Sequence, residues 1–201
     1  VEGLSVWQEG ARRQKSILDK IDLSKFQSST KLEALMQEID AMEHRDPSAK
    51  CIVFSQFTAM LALVQYRISV SGRKLVMLRG NLSVEQRAKA LKAFNEDPTV
   101  KVLLMSLKAG GVALNLTVAN HIFLMDPWWN PAAEMQAIDR THRIGQYKPI
   151  YATRFIVENT IEERIIRLQE KKRLLFDATV GRDQSSLASL SEADLRFLFH
   201  N

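Results

Sequence analysis

Short apolar runs alternate along the chain with longer segments of helical periodicity, and this alternation is the feature that most constrains the fold. Runs of about four to eight residues bounded by turn signals are long enough for buried strands but too short for core helices. The predicted strands are 50–54, 74–78, 100–105, 121–125 and 150–157. Strands separated by single helices are typical of a parallel sheet. We therefore predict an open α/β fold with helices on both faces of the sheet.

Capping boxes, in which Ser or Thr is followed three residues later by Glu or Gln, predict the starts of three helices. The pairs are Thr30 with Glu33, Ser83 with Gln86, and Thr160 with Glu163. Another helix is expected to begin near Thr58, and a long helix over 161–178 is expected to brace the domain. A short last helix is predicted over 191–199, and the sequence leaves open where it docks.

Small polar and basic residues directly follow the predicted strands. Ser55 and Gln56 follow the first strand, and Arg79 follows the second. Because the carboxyl ends of parallel strands meet at one edge, these side chains are expected in the ligand crevice of the sheet. A phosphate contact competes here with plainer roles, which are helix capping for Ser55 and Gln56 and a solvated charge for Arg79.

A glycine pair follows the third predicted strand. Gly110 and Gly111 would let the backbone pass close to a phosphate and expose its amides. Lys108 adds a mobile cation at the same place. A tight turn needs the same two glycines, so both interpretations stay open for this motif.

An arginine-rich helix is predicted after the fourth strand. Its polar face carries, three or four residues apart, Gln136, Asp139, Arg140 and Arg143. Gly145 lies where a helix-ending glycine is expected. Two arginines at the end of a helix can stabilise the charge on a transferring phosphoryl group. The alternative is a surface helix with exposed charges, and His142 is interpreted as a packing or hydrogen-bonding residue rather than a general base.

Two tryptophans stand between the fourth strand and this helix. Pro131 is suited to the first helical position after them. Packing beneath the helix competes with an exposed role for Trp128. Trp129 is the candidate for stacking on a base or wedging into a duplex groove.

Composition narrows the class of protein. The chain has 201 residues, 46% of them hydrophobic and 25% charged, as in an ordinary soluble globular protein. A net charge of +5 favours an acidic partner such as nucleic acid. A single cysteine, Cys51, excludes an internal disulfide and a cysteine-based zinc cluster. The apolar runs are too short to span a bilayer. We expect an intracellular protein with no membrane partner and no metal bound by this chain itself.

Three stretches together resemble motifs V and VI of the Swi/Snf-type DNA translocases, a branch of the superfamily-two helicase-like ATPases. They are 102–117, with its Gly-Gly pair, 126–131, with Asp-Pro-Trp-Trp-Asn-Pro, and 134–146, which ends in Arg-Thr-His-Arg-Ile-Gly-Gln. The resemblance extends from about Ser28 to Gly181. It implies a second RecA-like helicase lobe over 30–157, preceded by a basic linker at 1–29 and followed by a C-terminal helical extension at 158–201.

The resemblance also implies roles for individual residues. It implies arginine fingers at Arg140 and Arg143, ATP contacts at Gly111, Asn115, Gln136 and Asp139, and DNA contacts at Ser55, Gln56, Arg79, Lys108, Gly110 and Trp129. ATP and Mg²⁺ would be bound mainly by a first lobe, because this sequence has no phosphate loop and no Asp-Glu box. The chain alone is then expected to be inactive. The implied activity is DNA-dependent ATP hydrolysis that moves or evicts proteins on double-stranded DNA.

Within this family the sequence is most similar to the Rad-sixteen-like translocases of nucleotide excision repair, which carry a RING finger and are linked to ubiquitin ligation. Ala113, where glycine is usual, and the tracts 145–150, 165–181 and 194–199 carry this similarity. The rival branch is Rad-five-like, in replication-fork tolerance. Implied partners are double-stranded DNA, the N-terminal motor lobe of the same full-length chain, and repair and ubiquitin-ligase subunits in the nucleus. An alternative from a different functional class, a binding protein instead of an enzyme, is a catalytically silent DNA- or protein-binding module.

Overall fold

A computed structural model describes residues 26–106, 116–139, 141, 146–178 and 190–199. The helices in this part of the chain are α1 (Thr30–Arg45), α2 (Thr58–Val70), α3 (Val84–Glu96), α4 (Pro131–Asp139), α5 (Ile161–Ala178) and α6 (Glu192–Phe199). The strands are β1 (Cys51–Ser55), β2 (Lys74–Leu78), β3 (Val100–Ser106), β4 (His121–Leu124) and β5 (Tyr151–Arg154). Most of the predicted basic linker lies outside the described residues.

The strands form one parallel sheet in the order β2-β3-β1-β4-β5. The central strand β1 is buried along its whole length, as the apolar run predicted. Strand β5 ends earlier than predicted, because the backbone N–H of Val157 donates to Glu162 in the first turn of α5 instead of to a neighbouring strand. The predicted open α/β fold is confirmed.

Side chains alternate between the two faces of the sheet, so β1 to β4 each contribute to two apolar cores. Cys51 and Val53 of β1 pack with α1 and α2 on one face. Ile52 and Phe54 pack with α3 on the other face, where Ile138 of α4 also lies against the core. Phe54 is 1% exposed. Helices therefore cover both faces, and the polar residues at the ends of the strands are left at an edge.

Two of the predicted capping boxes are displaced by one residue. Ser29, not Thr30, caps α1, with its hydroxyl 3.4 Å from the Leu32 N–H. Glu33 is drawn away from the cap because its carboxylate pairs with both Nε and Nη2 of Arg67.

The predicted capping box is present on α3, whereas the hydrogen bonds at the start of α5 are shifted by one residue. The predicted Ser83–Gln86 box on α3 is confirmed, with both reciprocal hydrogen bonds present. At α5 the Thr160 hydroxyl accepts from the N–H of Glu162, and Glu163 accepts from the N–H of Asn159. Asn159 has φ 58°, so the backbone turns there one residue earlier than a Thr160–Glu163 box requires.

Helix α6 docks on α5, which answers the question that the sequence left open. The Leu198 side chain is buried, and Arg164 Nη1 donates to the Leu198 carbonyl at 3.2 Å. Asp194 pairs with Lys172 across the same contact at 3.2 Å. The two C-terminal helices thus form one unit, and α5 connects that unit to the carboxyl edge of the sheet.

The amino edge of the sheet holds a buried histidine. His121 is 5% exposed, and its ring stacks on Tyr151 at a centroid distance of 4.9 Å. Its Nδ1 lies 3.1 Å from Asn120 Oδ1, while its Nε2 has no hydrogen-bond partner among the described residues. Burial lowers the pKa of His121, and the nearby Arg45 lowers it further. The folded protein therefore favours the neutral ring.

We expect the free energy of unfolding to fall as the pH is lowered below about 6.5, the usual pKa of an unfolded histidine. The unfolded state takes up a proton at His121 that the folded state excludes, so this contribution is complete above that pH and is lost below it. Urea unfolding between about pH 5 and 7 measures the slope. His121→Phe should flatten it, while His44→Asn, a change on the exposed face of α1, should not. An unchanged slope in His121→Phe would contradict this assignment.

Candidate functional site at the carboxyl edge of the sheet

A buried carboxylate joins the carboxyl ends of β1 and β4. Asp126 is 5% exposed; its Oδ1 accepts from the Ser55 hydroxyl at 2.5 Å and its Oδ2 accepts from the Gln56 N–H at 2.9 Å. Burial raises the pKa of Asp126, and these two hydrogen bonds partly oppose that rise. The Ser55 hydroxyl also accepts from the N–H of Phe57 at 3.0 Å. These hydrogen bonds hold the backbone in place where the chain leaves β1.

The predicted DNA contacts at this point differ in accessibility. Ser55 is 0% exposed, and its hydroxyl is bonded to Asp126. Gln56 is half-buried, and its side-chain amide has no hydrogen bond to any described residue. Gln56 is thus the side chain of the pair with free donors at the edge, and the role predicted for Ser55 stays a prediction.

Arg79 extends this edge to the far side of the sheet. It follows β2 directly and is exposed. Its Nη2 donates to Gln65 Oε1 at 3.2 Å, and its Nε lies 2.9 Å from Met77 Sδ. A weak amide contact leaves most of the guanidinium charge accessible to an anion.

The two tryptophans lie beyond β4 as a stacked pair. Their ring centroids are 5.9 Å apart with an interplanar angle of 29°. The backbone N–H of Trp128 donates to Glu134 Oε1 at 2.8 Å, and the backbone carbonyl of Trp128 accepts from the side-chain amide of Gln169. Trp129 is half-buried and has the Lys172 Nζ 5.8 Å from its ring centroid. The backbone of Trp128 is therefore bound to both α4 and α5.

Glu134 is the centre of a buried network that sequence reasoning missed. It is 0% exposed, and its Oε1 accepts from Gln169 Nε2 at 3.0 Å in addition to Trp128. Its Oε2 lies 2.8 Å from Arg154 Nε at the end of β5. The two groups lie within ion-pair distance, but Oε2 accepts no hydrogen bond from the described residues. Helices α4 and α5, the end of β5 and the segment after β4 therefore meet at this one side chain.

A second unpredicted contact joins α1 to the same edge. Lys31 Nζ donates to the Met125 carbonyl at 2.7 Å and to Glu162 Oε1 at 2.6 Å. The Lys31 side chain is 11% exposed. The helix that precedes the sheet and the helix that follows it are thereby connected beside Asp126.

Helix α4 includes two of the residues that were predicted to contact ATP, Gln136 and Asp139. Asn130 Oδ1 accepts from the Ala132 N–H at 3.0 Å, and Pro131 takes the first helical position as predicted. Asp139 is exposed at the end of α4. Thr141 is buried, and both its N–H and its hydroxyl donate to the Ile138 carbonyl.

Gln146 holds the chain after the arginine-rich stretch. Its Nε2 donates to the carbonyls of Thr117 and Ala119 at 2.9 and 2.7 Å. Thr141 thus continues the end of α4, and Gln146 fixes the point where the described chain resumes. The predicted site residues outside the described part of the chain are Lys108, Gly110, Gly111, Asn115, Arg140 and Arg143, together with the side chain of Gln136.

The described residues contain neither a metal-binding cluster nor a membrane-spanning helix. No three His, Cys, Asp or Glu side chains come together there as a group that could hold a metal ion. None of the helices in those ranges combines the length and the apolar character that crossing a membrane requires.

The sequence matches a known protein family. Residues 30–145 match the family described as the helicase conserved C-terminal domain. The ATP-dependent helicase rhp16 of Schizosaccharomyces pombe is 48% identical over 92% of this chain and 22% of its own length. The DNA repair protein RAD5 of Cryptococcus neoformans is 43% identical over 90% of this chain and 15% of its own length. The chain thus spans about a fifth or less of these relatives.

Solved structures share the fold. The C-terminal part of the Fun30 ATPase domain superposes with a TM-score of 0.71 and 28% identity, over 85% of this chain and 52% of that one. The SWI2/SNF2 ATPase core of Sulfolobus solfataricus, solved in complex with double-stranded DNA, gives a TM-score of 0.64 and 32% identity, over 85% of this chain and 35% of that one. The match of sheet and flanking helices agrees with the predicted RecA-like lobe.

Proposed function

The chain belongs to the helicase conserved C-terminal domain family, with Swi2/Snf2-type homologues, and we propose that it is the second motor lobe of an ATP-dependent double-stranded DNA translocase. The observation that carries the proposal is the extent of the family match. It runs from α1 through the arginine-rich stretch and so includes the carboxyl ends of β1 to β4. A neighbour with the same fold was solved on duplex DNA, which supports the choice of substrate.

On the nucleotide side, Arg140 and Arg143 act as arginine fingers on ATP bound by a first lobe. ATP would supply the phosphoryl group, and its Mg²⁺ would neutralise negative charge on the phosphates together with the arginines. Gln136, Asp139, Gly111 and Asn115 complete the side of the cleft that this chain contributes. The hydrogen bonds of Thr141 and Gln146 support this role, because a catalytic group depends on the positioning of the elements that carry it.

On the DNA side, the lobe grips the phosphate backbone along the carboxyl edge of its sheet. Gln56 and Arg79 offer accessible donors there, and the predicted set also includes Ser55, Lys108 and Gly110. Trp129 lies at the other end of the same edge and provides an aromatic face. Movement of this lobe relative to the first, driven by hydrolysis, then shifts the grip along the duplex.

The biological setting that we propose is DNA repair in the nucleus. The 48% identity to rhp16 supports the Rad-sixteen-like branch over the Rad-five-like one, with nucleotide excision repair and linked ubiquitin ligation as the pathway. The proposed division is a basic linker at 1–29, the motor lobe at 30–157 and a helical extension at 158–201. Repair and ubiquitin-ligase subunits are the further partners.

ATP hydrolysis by this chain alone, compared with a longer form of the protein that includes the first lobe, tests the proposal. We expect no hydrolysis by the chain alone and hydrolysis stimulated by duplex DNA in the longer form, because the phosphate loop is absent here. A phosphate-release assay with and without duplex DNA measures both. DNA binding with no hydrolysis in either form would instead favour the silent binding module.

A further inference from the structure

Helix α6 is short, and most of its apolar side chains are partly exposed. It has 8 residues, and helices this short are not stable without tertiary packing. Leu198 is its buried apolar side chain, while Leu195, Phe197 and Phe199 are 43%, 43% and 68% exposed. The Arg164 bond to the Leu198 carbonyl and the Lys172–Asp194 pair join it to α5. Such a helix can leave α5 at low cost in free energy.

The residue that α6 covers is a lysine beside the candidate DNA edge. The side chains of Lys172 and Asp194 are only 8% and 15% exposed. This pair is therefore far less hydrated than the surface ion pair of α6 between Arg196 and Glu192. The Asp194 Oδ2 also accepts from the Ser191 N–H at 3.0 Å, which aims the carboxylate inward. Lys172 Nζ lies at the same time near the ring of Trp129.

An ammonium group between an aromatic ring and an anionic oxygen is also suited to a DNA phosphate. Carboxylate and phosphate oxygens accept the same charge-assisted hydrogen bonds from lysine. Exposed Lys171 and Arg173 flank Lys172 on α5 and add positive charge. If Asp194 withdraws, the ammonium group stays near Trp129 and the place of the Asp194 carboxylate becomes open to a phosphate.

We propose that Lys172 is a DNA-phosphate contact of this lobe and that α6 covers it, with Asp194 in the position that the phosphate takes when DNA binds. The inference rests on the proposed function, since it takes duplex DNA as the ligand. DNA binding and docking of α6 are then mutually exclusive at this point. Helix α6 lowers the affinity of the resting lobe for DNA and is displaced when the duplex engages Trp129.

The test is binding of a fluorescently labelled duplex DNA to the chain, followed by fluorescence anisotropy over a range of salt concentrations. We expect Asp194→Asn to tighten binding about fivefold and to steepen the salt dependence by about 0.9, the value for one added phosphate contact. Leu198→Ser, which undocks α6 through a different contact, should give the same change. Lys172→Gln should abolish the gain when combined with either variant.

Glu192→Gln is the matched control. It removes the same charge from the same helix, but Glu192 is exposed and pairs with Arg196 instead of Lys172. An effect of Asp194→Asn no larger than that of Glu192→Gln would overturn the inference, as would a gain that persists with Lys172→Gln. If the unmodified chain and the longer protein both fail to bind duplex DNA, the proposed function itself fails. Binding by the unmodified chain with no effect of the α6 variants refutes the inference alone.

Discussion

Replacing Arg143 with alanine is expected to lower DNA-stimulated ATP turnover by about 10³-fold or more in a form of the protein that contains both lobes. The guanidinium would meet negative charge that develops on the transferring phosphoryl group, so its loss affects turnover more than nucleotide or DNA affinity. Arg143→Lys should also be severely impaired, because lysine keeps the charge without the planar fork of donors. A steady-state phosphate-release assay at saturating ATP and duplex DNA measures the effect.

The control for this loss is an arginine elsewhere on the same lobe. Arg45→Ala removes an equal charge from the exposed last turn of α1, beside Tyr151 at the amino edge of the sheet, and should leave turnover within about twofold, as expected for a surface charge change. DNA affinity, measured for each variant, separates a hydrolytic defect from a binding defect. Turnover by Arg143→Ala that matches the unmodified protein would remove the arginine-finger assignment and bring the binding-module alternative forward.

Local patterns predicted the elements of the fold because the physical causes are local. The run Cys51–Phe54 could be only a buried strand, and the Ser83–Gln86 box needs no partner outside α3. The box at Thr30 was misplaced for the opposite reason. Glu33 had a competing partner in Arg67, 34 residues away, which no local pattern contains.

The candidate site was predictable to the extent that the sheet brings strand ends together. Ser55 and Gln56 were identified from their place after β1, but Asp126, their actual hydrogen-bond partner, is 71 residues from Ser55. Asp126 does follow the fourth apolar run directly, so the same strand-end argument could have paired the two. Lys172 had no such signal, because its burial depends on a helix whose docking the sequence left open.

Removing the Glu134 side chain is expected to lower the free energy of unfolding by about 2–4 kcal/mol. In Glu134→Ala the backbone N–H of Trp128 and the buried side-chain amide of Gln169 lose their common acceptor. Arg154 loses its ion-pair partner. Since Arg154 is 43% exposed, water takes over part of that loss, which keeps the estimate below that for a fully buried pair. Urea unfolding of the chain, followed by circular dichroism, measures the change.

Glu134→Gln separates the hydrogen-bond contribution from the charge. Its amide oxygen can still accept from Trp128 and Gln169, while its NH₂ group faces Arg154 without a charge, so the loss should be smaller than for alanine. Glu170→Ala, on the solvent side of α5, should change stability by less than about 0.5 kcal/mol. Equal losses in Glu134→Ala and Glu170→Ala would mean that the network does not hold α4. If Glu134 does hold α4, both substitutions at this position should also lower ATP turnover in the two-lobed protein at temperatures where the lobe stays folded, because the arginine-rich stretch continues from α4.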